Sequence, residues 1–140
     1  MLKNFLQQLN FKQFTPFQLN LHPHSIECLE LLRLVPNKRA VFKSCLNDQT
    51  EVILKVFFSK NANRHFKTEI KNYELLQEKK IPTPTLILKQ QQDDCYFLLF
   101  QFIPAEKEKL HDFQSIKMIA QQIIQLYKNE LIHTDCHLNN

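Results

Sequence analysis

Short runs of apolar residues mark four predicted β-strands, arranged as two pairs. In the first pair, RAVFKSCL (residues 39–46) and EVILKVFF (residues 51–58) are separated by NDQT, whose residues favour turns. In the second pair, TLILKQ (residues 85–90) and CYFLLFQFI (residues 95–103) are separated by QQDD. The first pair predicts an antiparallel hairpin, and the second pair adds two further strands.

Apolar residues at helical spacing predict three helices. Residues 2–9 place four apolar side chains on one helical face, and residues 63–80 and 112–129 carry longer stripes. The prolines of IPTPT end the second helix, because proline cannot continue a helix. The first helix is expected to pack on its own domain, with an interfacial membrane helix as the alternative.

The segment between the first helix and the first hairpin has a weaker pattern. Pro16 and Pro23 interrupt residues 14–25, which are therefore predicted as a loop. Residues 26–34, IECLELLRL, are predicted as a short helix or strand. The order of hairpin, helix, strand pair and helix predicts an α+β fold, with a mostly antiparallel sheet and one helix followed by a helical region.

Composition narrows the class of protein. The chain has 140 residues, of which 44% are hydrophobic and 23% charged, so we expect one folded domain or part of one. No apolar run has the length of a membrane span, and the N-terminus does not have the apolar core of a signal peptide. The four widely spaced cysteines are expected to be reduced thiols in a cytoplasmic protein.

Charge and glycine content restrict the binding chemistry. The formal charge of +4 fits an anionic substrate such as a nucleotide, or an anionic membrane surface, but is too small to indicate nucleic acid. The chain has no glycine. A glycine-rich phosphate loop is therefore excluded, and tight turns are expected to use Asn, Asp or Pro.

A lysine inside an apolar strand is the first candidate for chemistry. Lys55 lies in VILKVFF, where Ile53 and Phe57 share its strand face and are expected to be buried. An edge-strand lysine that points to solvent is one interpretation. The other is a lysine with a carboxylate partner, because a buried charge requires one. Glu69 on the following helix is the candidate partner, and Glu74 is the reserve.

The closing residues, HTDCHLNN, are the second candidate. His133, Cys136 and His137 could bind zinc in one turn, although only three ligands are present. A polar loop with no catalytic role is another interpretation. The same stretch also fits the pattern H-x-D-x-x-x-x-N, from His133 to Asn140.

Together these motifs resemble the protein-kinase-like superfamily, in which a strand reads V-A-I-K and the catalytic loop H-R-D-x-x-x-x-N. This chain has V-I-L-K and then H-T-D-C-H-L-N-N, in the same order. The stretch FKTEIKNYELLQEKKIPTPTLI is most similar to the lipopolysaccharide kinase (Kdo and heptose kinase) family, and aminoglycoside-type phosphotransferases come next. The resemblance covers roughly residues 38–140.

The resemblance implies a small lobe, made of an antiparallel sheet plus one helix, then the first helix and catalytic loop of an incomplete large lobe. The implied domains are an N-terminal extension, a small lobe with the hinge, and the start of the large lobe: residues 1–34, 35–104 and 105–140. Asn37 with Lys38 could form the turn that replaces the glycine loop of protein kinases. The chain is expected to be truncated before the segment with the second metal-binding aspartate.

The resemblance also assigns roles on the nucleotide side. Lys55 would hold the α- and β-phosphates of ATP, and Glu69 would orient Lys55 through an ion pair. Adenine would meet backbone groups of the hinge, which are contributed by Gln101, Phe102 and Ile103.

On the acceptor side, the resemblance makes Asp135 the catalytic base or orienting group beside the acceptor hydroxyl. Asn140 would ligate Mg²⁺, and His133 would hold the loop in place. The implied activity is ATP-dependent phosphorylation of a hydroxyl on a sugar, a lipid-linked glycan or another small molecule. Such an enzyme would be cytoplasmic, with peripheral contact at the inner membrane as a further expectation.

Two other functions remain open. The chain could be an inactive, truncated kinase-like fragment that acts at most as a nucleotide-binding or interaction module. A metal-binding regulatory domain is the third hypothesis.

Overall fold

The structure is a computed structural model that describes residues 1–104 and residue 121. The chain divides into two compact units, Met1–Ile103 and Pro104–Asn140. The first unit contains two helices and six strands, which in chain order are α1 (Leu2–Gln7), β1 (Phe17–Leu21), β2 (His24–Val35), β3 (Arg39–Leu46), β4 (Glu51–Phe57), α2 (Ala62–Glu78), β5 (Leu86–Gln92) and β6 (Cys95–Gln101).

The six strands form one sheet in the order β1-β2-β3-β4-β6-β5, and every neighbouring pair is antiparallel. This arrangement confirms the predicted α+β class for the described residues. It also confirms the hairpin β3–β4, the strand pair β5–β6, the helix α2 between them, and α1. The predicted third helix and the predicted zinc and catalytic-loop residues lie outside the described residues.

The prediction of a loop over residues 14–25 was wrong, because this segment contains β1 and the start of β2. In β1, Leu19 and Leu21 are buried and alternate with exposed polar residues, as expected for a strand with one buried face. Pro16 precedes the strand and Pro23 lies in the turn after it. Neither proline therefore has to donate a hydrogen bond within the sheet.

Residues 26–34, predicted as a short helix or strand, form most of the strand β2. The predicted N-terminal extension, residues 1–34, thus contributes α1, β1 and most of β2 to the unit that carries the other four strands. Its side chains also enter the core, since Leu6, Leu21 and Ile26 are buried in the main hydrophobic cluster.

The sheet buries apolar side chains on both faces. The larger cluster joins α1 to five strands and includes Leu6, Leu21, Ile26, Phe42, Leu54 and Phe97. The smaller cluster lies under α2 and contains Phe57, Ala62 and Leu98, against which Phe66 and Ile70 pack. Helix α2 therefore covers the side of β4 and β6 that faces away from the main core.

Three buried cysteines, Cys28, Cys45 and Cys95, are unpaired. Burial raises the pKa of the Cys28 thiol from its usual 9.0 to about 12, and that of Cys95 to about 11. Because both values lie above the unfolded value, the folded chain holds these protons more tightly. The stability that depends on neutral thiols is therefore fully present below pH 9 and is lost as the pH rises toward 11 and 12.

We expect the free energy of unfolding to fall above pH 9, with each of these two thiols contributing up to about 1.4 kcal/mol per pH unit. Urea unfolding at pH 8, 9, 10 and 11 measures this decline. The variant Cys28→Ala should be less stable at pH 8 but should show a shallower fall between pH 9 and 11. Parallel curves for the two chains would contradict the assignment to Cys28.

Helix α2 ends with a turn that most chains close with glycine. The N–H of Ile81 donates to the carbonyl of Leu76 (2.9 Å), and the N–H of Lys80 donates to that of Gln77 (3.0 Å). These are the two bonds of a Schellman motif, and Lys80 takes the left-handed conformation with φ 57. The expectation that Asn, Asp and Pro make the tight turns was therefore incomplete, because Gln49 also has a positive φ.

Lys80→Gly is expected to stabilise the chain by about 1 kcal/mol, since a side chain with a Cβ is disfavoured in this conformation by about 1–2 kcal/mol. The greater freedom of glycine in the unfolded chain offsets part of the gain. Urea denaturation should show a higher midpoint with an unchanged slope. Lys79→Gly is the matched control, because Lys79 has a φ of −78 and should gain nothing.

Candidate functional site

Lys55 lies in the interior of the sheet. Strand β4 pairs with β3 on one side and β6 on the other, and Lys55 is opposite Val41 and Leu98. The interpretation of Lys55 as an edge-strand lysine was therefore wrong. On the same face, Phe57 is buried as predicted, whereas Ile53 is only half-buried.

The ammonium group of Lys55 donates a hydrogen bond to Oε1 of Glu69, and the two form an ion pair. Each side chain is 25% exposed, so both charges are largely removed from water. Glu74, the reserve candidate, is exposed on the same helix. The predicted contact between Lys55 and Glu69 is therefore confirmed.

The packing of α2 explains why Glu69 reaches the sheet. Phe66 contacts Phe57 (ring centroids 6.5 Å apart) and Tyr96 (5.2 Å), and Tyr73 contacts Phe100 (5.9 Å). Phe66 and Tyr73 are seven residues apart, which is two helical turns, and Glu69 lies between them on the same side. The aromatic contacts thus fix the rotation of α2 that turns Glu69 toward Lys55.

Next to this ion pair, β3 presents a partly open surface on the same face of the sheet. Helix α2 packs mainly against β4 and β6, rather than against β3. Arg39, Val41 and Lys43 alternate along β3 and are all half-buried. With Ile53 of β4 they form a surface that has an apolar centre and basic side chains around it.

The segment that leaves β6 was predicted to contact adenine through its backbone. The N–H of Gln101 donates to the carbonyl of Thr85 (2.9 Å), and the N–H of Phe102 donates to that of Glu51 (3.4 Å). The N–H of Ile103 has no partner among the described residues, and the residue is 53% exposed. Of the three predicted hinge residues, Ile103 is thus the one whose N–H can meet a ligand.

Two residues that the sequence did not single out hold this segment in place. The ammonium group of Lys43 lies 4.7 Å from the ring centroid of Phe102 and 3.4 Å from Oε1 of Glu51. Glu51 also accepts the N–H of Phe102 with its backbone carbonyl. The hairpin β3–β4 therefore contacts both the ring and the backbone of Phe102. A cation over an aromatic ring contributes about 0.5–1 kcal/mol at exposed sites.

The turn between β2 and β3 is tight. The N–H of Lys38 donates to the carbonyl of Val35 (3.0 Å), and Asn37 has a left-handed backbone with φ 58. Pro36 and Asn37 occupy the two central positions, as in a type II turn. The prediction that Asn37 and Lys38 form this turn is confirmed.

A cavity of about 340 Å³ lies at another part of the sheet and is lined by residues of β1, β2, the end of β3 and the β3–β4 turn. Within it, the thiol of Cys45 donates to Oε2 of Glu27 (3.7 Å). Burial, and then the Glu27 carboxylate, raise the pKa of Cys45. The thiol is therefore neutral near pH 7, which does not suit a nucleophile or a metal ligand.

The remaining predicted site residues, Asp135, His133 and Asn140, lie outside the described residues, as do Cys136 and His137 of the zinc interpretation. Across residues 1–104, no three His, Cys, Asp or Glu side chains are grouped so that they could hold a metal ion. Neither α1 nor α2 has the length and hydropathy of a membrane-crossing helix.

The chain was compared with protein-family models and with curated proteins, and neither comparison found a match. The assignment of function thus depends on the residues and geometry of the chain itself.

Proposed function

We propose that the chain binds ATP as an ATP-dependent phosphotransferase of the lipopolysaccharide or sugar kinase type. The observation that carries the proposal is the ion pair between Lys55 on a strand and Glu69 on the helix that follows it. Protein kinases use such a strand lysine and helix glutamate, and the lysine holds the α- and β-phosphates. In this chain the pair is largely buried, which keeps the ammonium group oriented.

The rest of the surface suits the other parts of a nucleotide. Val41 and Ile53 offer apolar contacts next to Lys55, where an aromatic base can pack. The N–H of Ile103, which has no partner among the described residues, can donate to a ring nitrogen of adenine. The carbonyls of the same segment can accept from the amino group of adenine. These groups and Lys55 belong to one compact unit of the chain.

The proposed reaction transfers the γ-phosphoryl group to a hydroxyl of a sugar, a lipid-linked glycan or another small molecule. Phosphoryl transfer depends mainly on positioning and charge stabilisation, which is the role of Lys55 and Glu69 here. Mg²⁺ would neutralise phosphate charge. Its proposed ligand Asn140 and the proposed base Asp135 belong to the second unit. We place the reaction in the cytoplasm, with peripheral contact at the inner membrane.

Titration calorimetry with ATP and Mg²⁺ tests the proposal. The wild-type chain should bind, and Lys55→Ala should bind at least tenfold more weakly, because a hydrogen bond to a charged group contributes about 1.5–3 kcal/mol. Lys67→Ala is the matched control, since Lys67 is exposed on α2. Equal affinities for wild type and Lys55→Ala would refute the role of Lys55, and no binding by wild type would refute the proposal.

A second measurement separates an active enzyme from an inactive module. The chain is incubated with γ-labelled ATP, Mg²⁺ and a panel of sugar and lipid-linked glycan acceptors, and labelled product is counted. Product formation that is lost in Lys55→Ala supports the phosphotransferase. ATP binding without transfer to any acceptor, and without hydrolysis, supports the inactive nucleotide-binding module instead.

A further inference from the structure

The β2–β3 turn cannot hold phosphates with its backbone as a glycine-rich loop does. Pro36 has no N–H, and the N–H of Lys38 already donates to the carbonyl of Val35. The carbonyl of Lys38 accepts the N–H of Phe58 (2.9 Å), which ties the turn to the residue after β4. At the tip of the turn, Asn37 is the residue whose backbone N–H has no partner among the described residues. Phosphate binding on this side of the surface must therefore come from side chains.

Arg39, the first residue of β3, is placed to provide such a side chain. It is opposite Phe57 in β4, and the next pair on this face is Val41 with Lys55. Residues opposite each other in antiparallel strands share a face, so Arg39 and Lys55 are diagonal neighbours. Such neighbours lie about 7–8 Å apart and are within reach of long side chains. One anionic group can thus contact both cations.

In the part of the chain that the structure describes, Arg39 has no counter-ion on this face. Lys55 is paired with Glu69, and Lys43 is paired with Glu51. Among the described residues, Arg39 forms neither an ion pair nor a hydrogen bond with another side chain, although it is half-buried. Arg39 and Lys55 thus have between them the single carboxylate of Glu69, and this excess of positive charge favours the binding of an anion.

We propose that Arg39 binds the phosphates of the nucleotide together with Lys55, in the role that backbone N–H groups play in a glycine-rich loop. This inference rests on the proposed function and adds a binding residue to its site. A guanidinium group donates two parallel hydrogen bonds to phosphate oxygens, which suits a di- or triphosphate. Because the contact is between partly exposed charges, its strength falls as salt screens them.

The experiment measures the affinity of the full chain for three probes: ADP with Mg²⁺, adenosine, and inorganic pyrophosphate. Arg39→Gln should bind ADP and pyrophosphate at least tenfold more weakly than wild type, which corresponds to about 1.4 kcal/mol. Its affinity for adenosine should stay within about twofold, because adenosine has no phosphate. Arg39→Lys should fall between wild type and Arg39→Gln for ADP, since lysine keeps the charge but not the paired donors.

Arg64→Gln is the matched control, because Arg64 is exposed on α2 and the substitution removes the same charge. It should leave all three affinities within about twofold. The affinity of wild type for ADP should also fall more steeply with salt than that of Arg39→Gln. The thermal unfolding midpoint of each variant confirms that it is folded.

The three probes separate this inference from the proposed function. Equal ADP affinities for wild type and Arg39→Gln overturn the role of Arg39 and leave the proposed function intact. An equal loss of adenosine affinity in Arg39→Gln also overturns the role of Arg39, because the substitution would then weaken nucleoside binding as well as phosphate binding. If wild type binds no nucleotide, the proposed function fails. In that case pyrophosphate tests the anion site on its own. Weaker pyrophosphate binding by Arg39→Gln than by wild type supports the site, whereas equal binding by the two chains, or no binding by wild type, overturns it.

Discussion

Under the proposed function, a chain carrying Lys55→Met is expected to transfer phosphate about 10²–10³ times more slowly than wild type at saturating ATP and Mg²⁺. That range is typical for the loss of one preorganised donor that stabilises charge in the transition state. Methionine keeps most of the length of the lysine stem, so an apolar side chain of similar size remains opposite Val41 and Leu98 in the sheet. The measured quantity is kcat for product formation.

Glu69→Gln should reduce kcat for a different reason. The ammonium group of Lys55 would keep its charge but lose the carboxylate that fixes its position. It would remain in a largely buried place without a full counter-charge, which also destabilises the fold. Because Glu69 acts through Lys55, the double variant Lys55→Met/Glu69→Gln should be no slower than Lys55→Met alone.

Two exposed residues of α2 provide matched controls. Lys67→Met and Glu74→Gln remove the same charges from positions where α2 faces solvent, and both should leave kcat within about twofold of wild type. Additive losses in the double variant would contradict the view that Glu69 acts through Lys55. A fully active Lys55→Met chain would contradict the role of Lys55 itself.

The parts of the fold that could be predicted from the sequence are those with a strong local pattern. Strands β3, β4, β5 and β6 each carry a short apolar run, and helix α2 carries an apolar stripe at helical spacing. The contact of Lys55 with Glu69 could be predicted because a largely buried lysine requires an acidic partner. The following helix offered Glu69 at the correct side of its apolar stripe.

Strand β1 was missed because the two prolines that flank it indicated a loop, although apolar and polar residues alternate within the strand. Leu19 and Leu21 are buried and separated by exposed residues, but the strand has only five residues and lies at the edge of the sheet. A short edge strand depends on its partner, β2, for its hydrogen bonds. Local sequence does not reveal that pairing.

The contacts of Arg39, Lys43 and Phe102 could not be predicted because they depend on strand register. A shift of one residue between β3 and β4 would move every side chain of one strand to the opposite face. The observed register pairs Val41 with Lys55 and thereby puts Arg39 and Lys43 on the face that carries the ion pair. Only the three-dimensional pairing identifies these residues as part of the site.

Among the described residues, five with positive φ show how a chain without glycine makes its turns. Asp93 and Asp94 form the two-residue turn between β5 and β6, with φ 52 and 60. Positive φ at both central positions is the geometry of a type I′ turn, which suits antiparallel strands. Asn37 plays a similar part between β2 and β3. These turns fix the hairpins whose side chains form the candidate site.

The second large effect is expected for the core. Phe42→Ala should lower the free energy of unfolding by about 3–5 kcal/mol, the range observed when a buried phenylalanine is truncated. Phe42 is fully buried. Its ring contacts Phe17 (centroids 5.4 Å apart, edge to face) and Phe14 (6.0 Å). A loss of this size is a large part of the 5–15 kcal/mol that stabilises a typical domain.

The aromatic contacts of Phe42 also test whether the first 34 residues are integral to the fold. Phe17 lies in β1, so Phe17→Ala should itself destabilise the chain, and its effect should be less than additive with Phe42→Ala. Phe11→Ala is the control, since Phe11 is 58% exposed and its loss should change the free energy of unfolding by no more than about 0.5 kcal/mol. Urea denaturation of wild type, the three single variants and the double variant Phe17→Ala/Phe42→Ala measures these values. If Phe17→Ala were as stable as wild type, the contact between Phe17 and Phe42 would not contribute measurably to the stability of the fold.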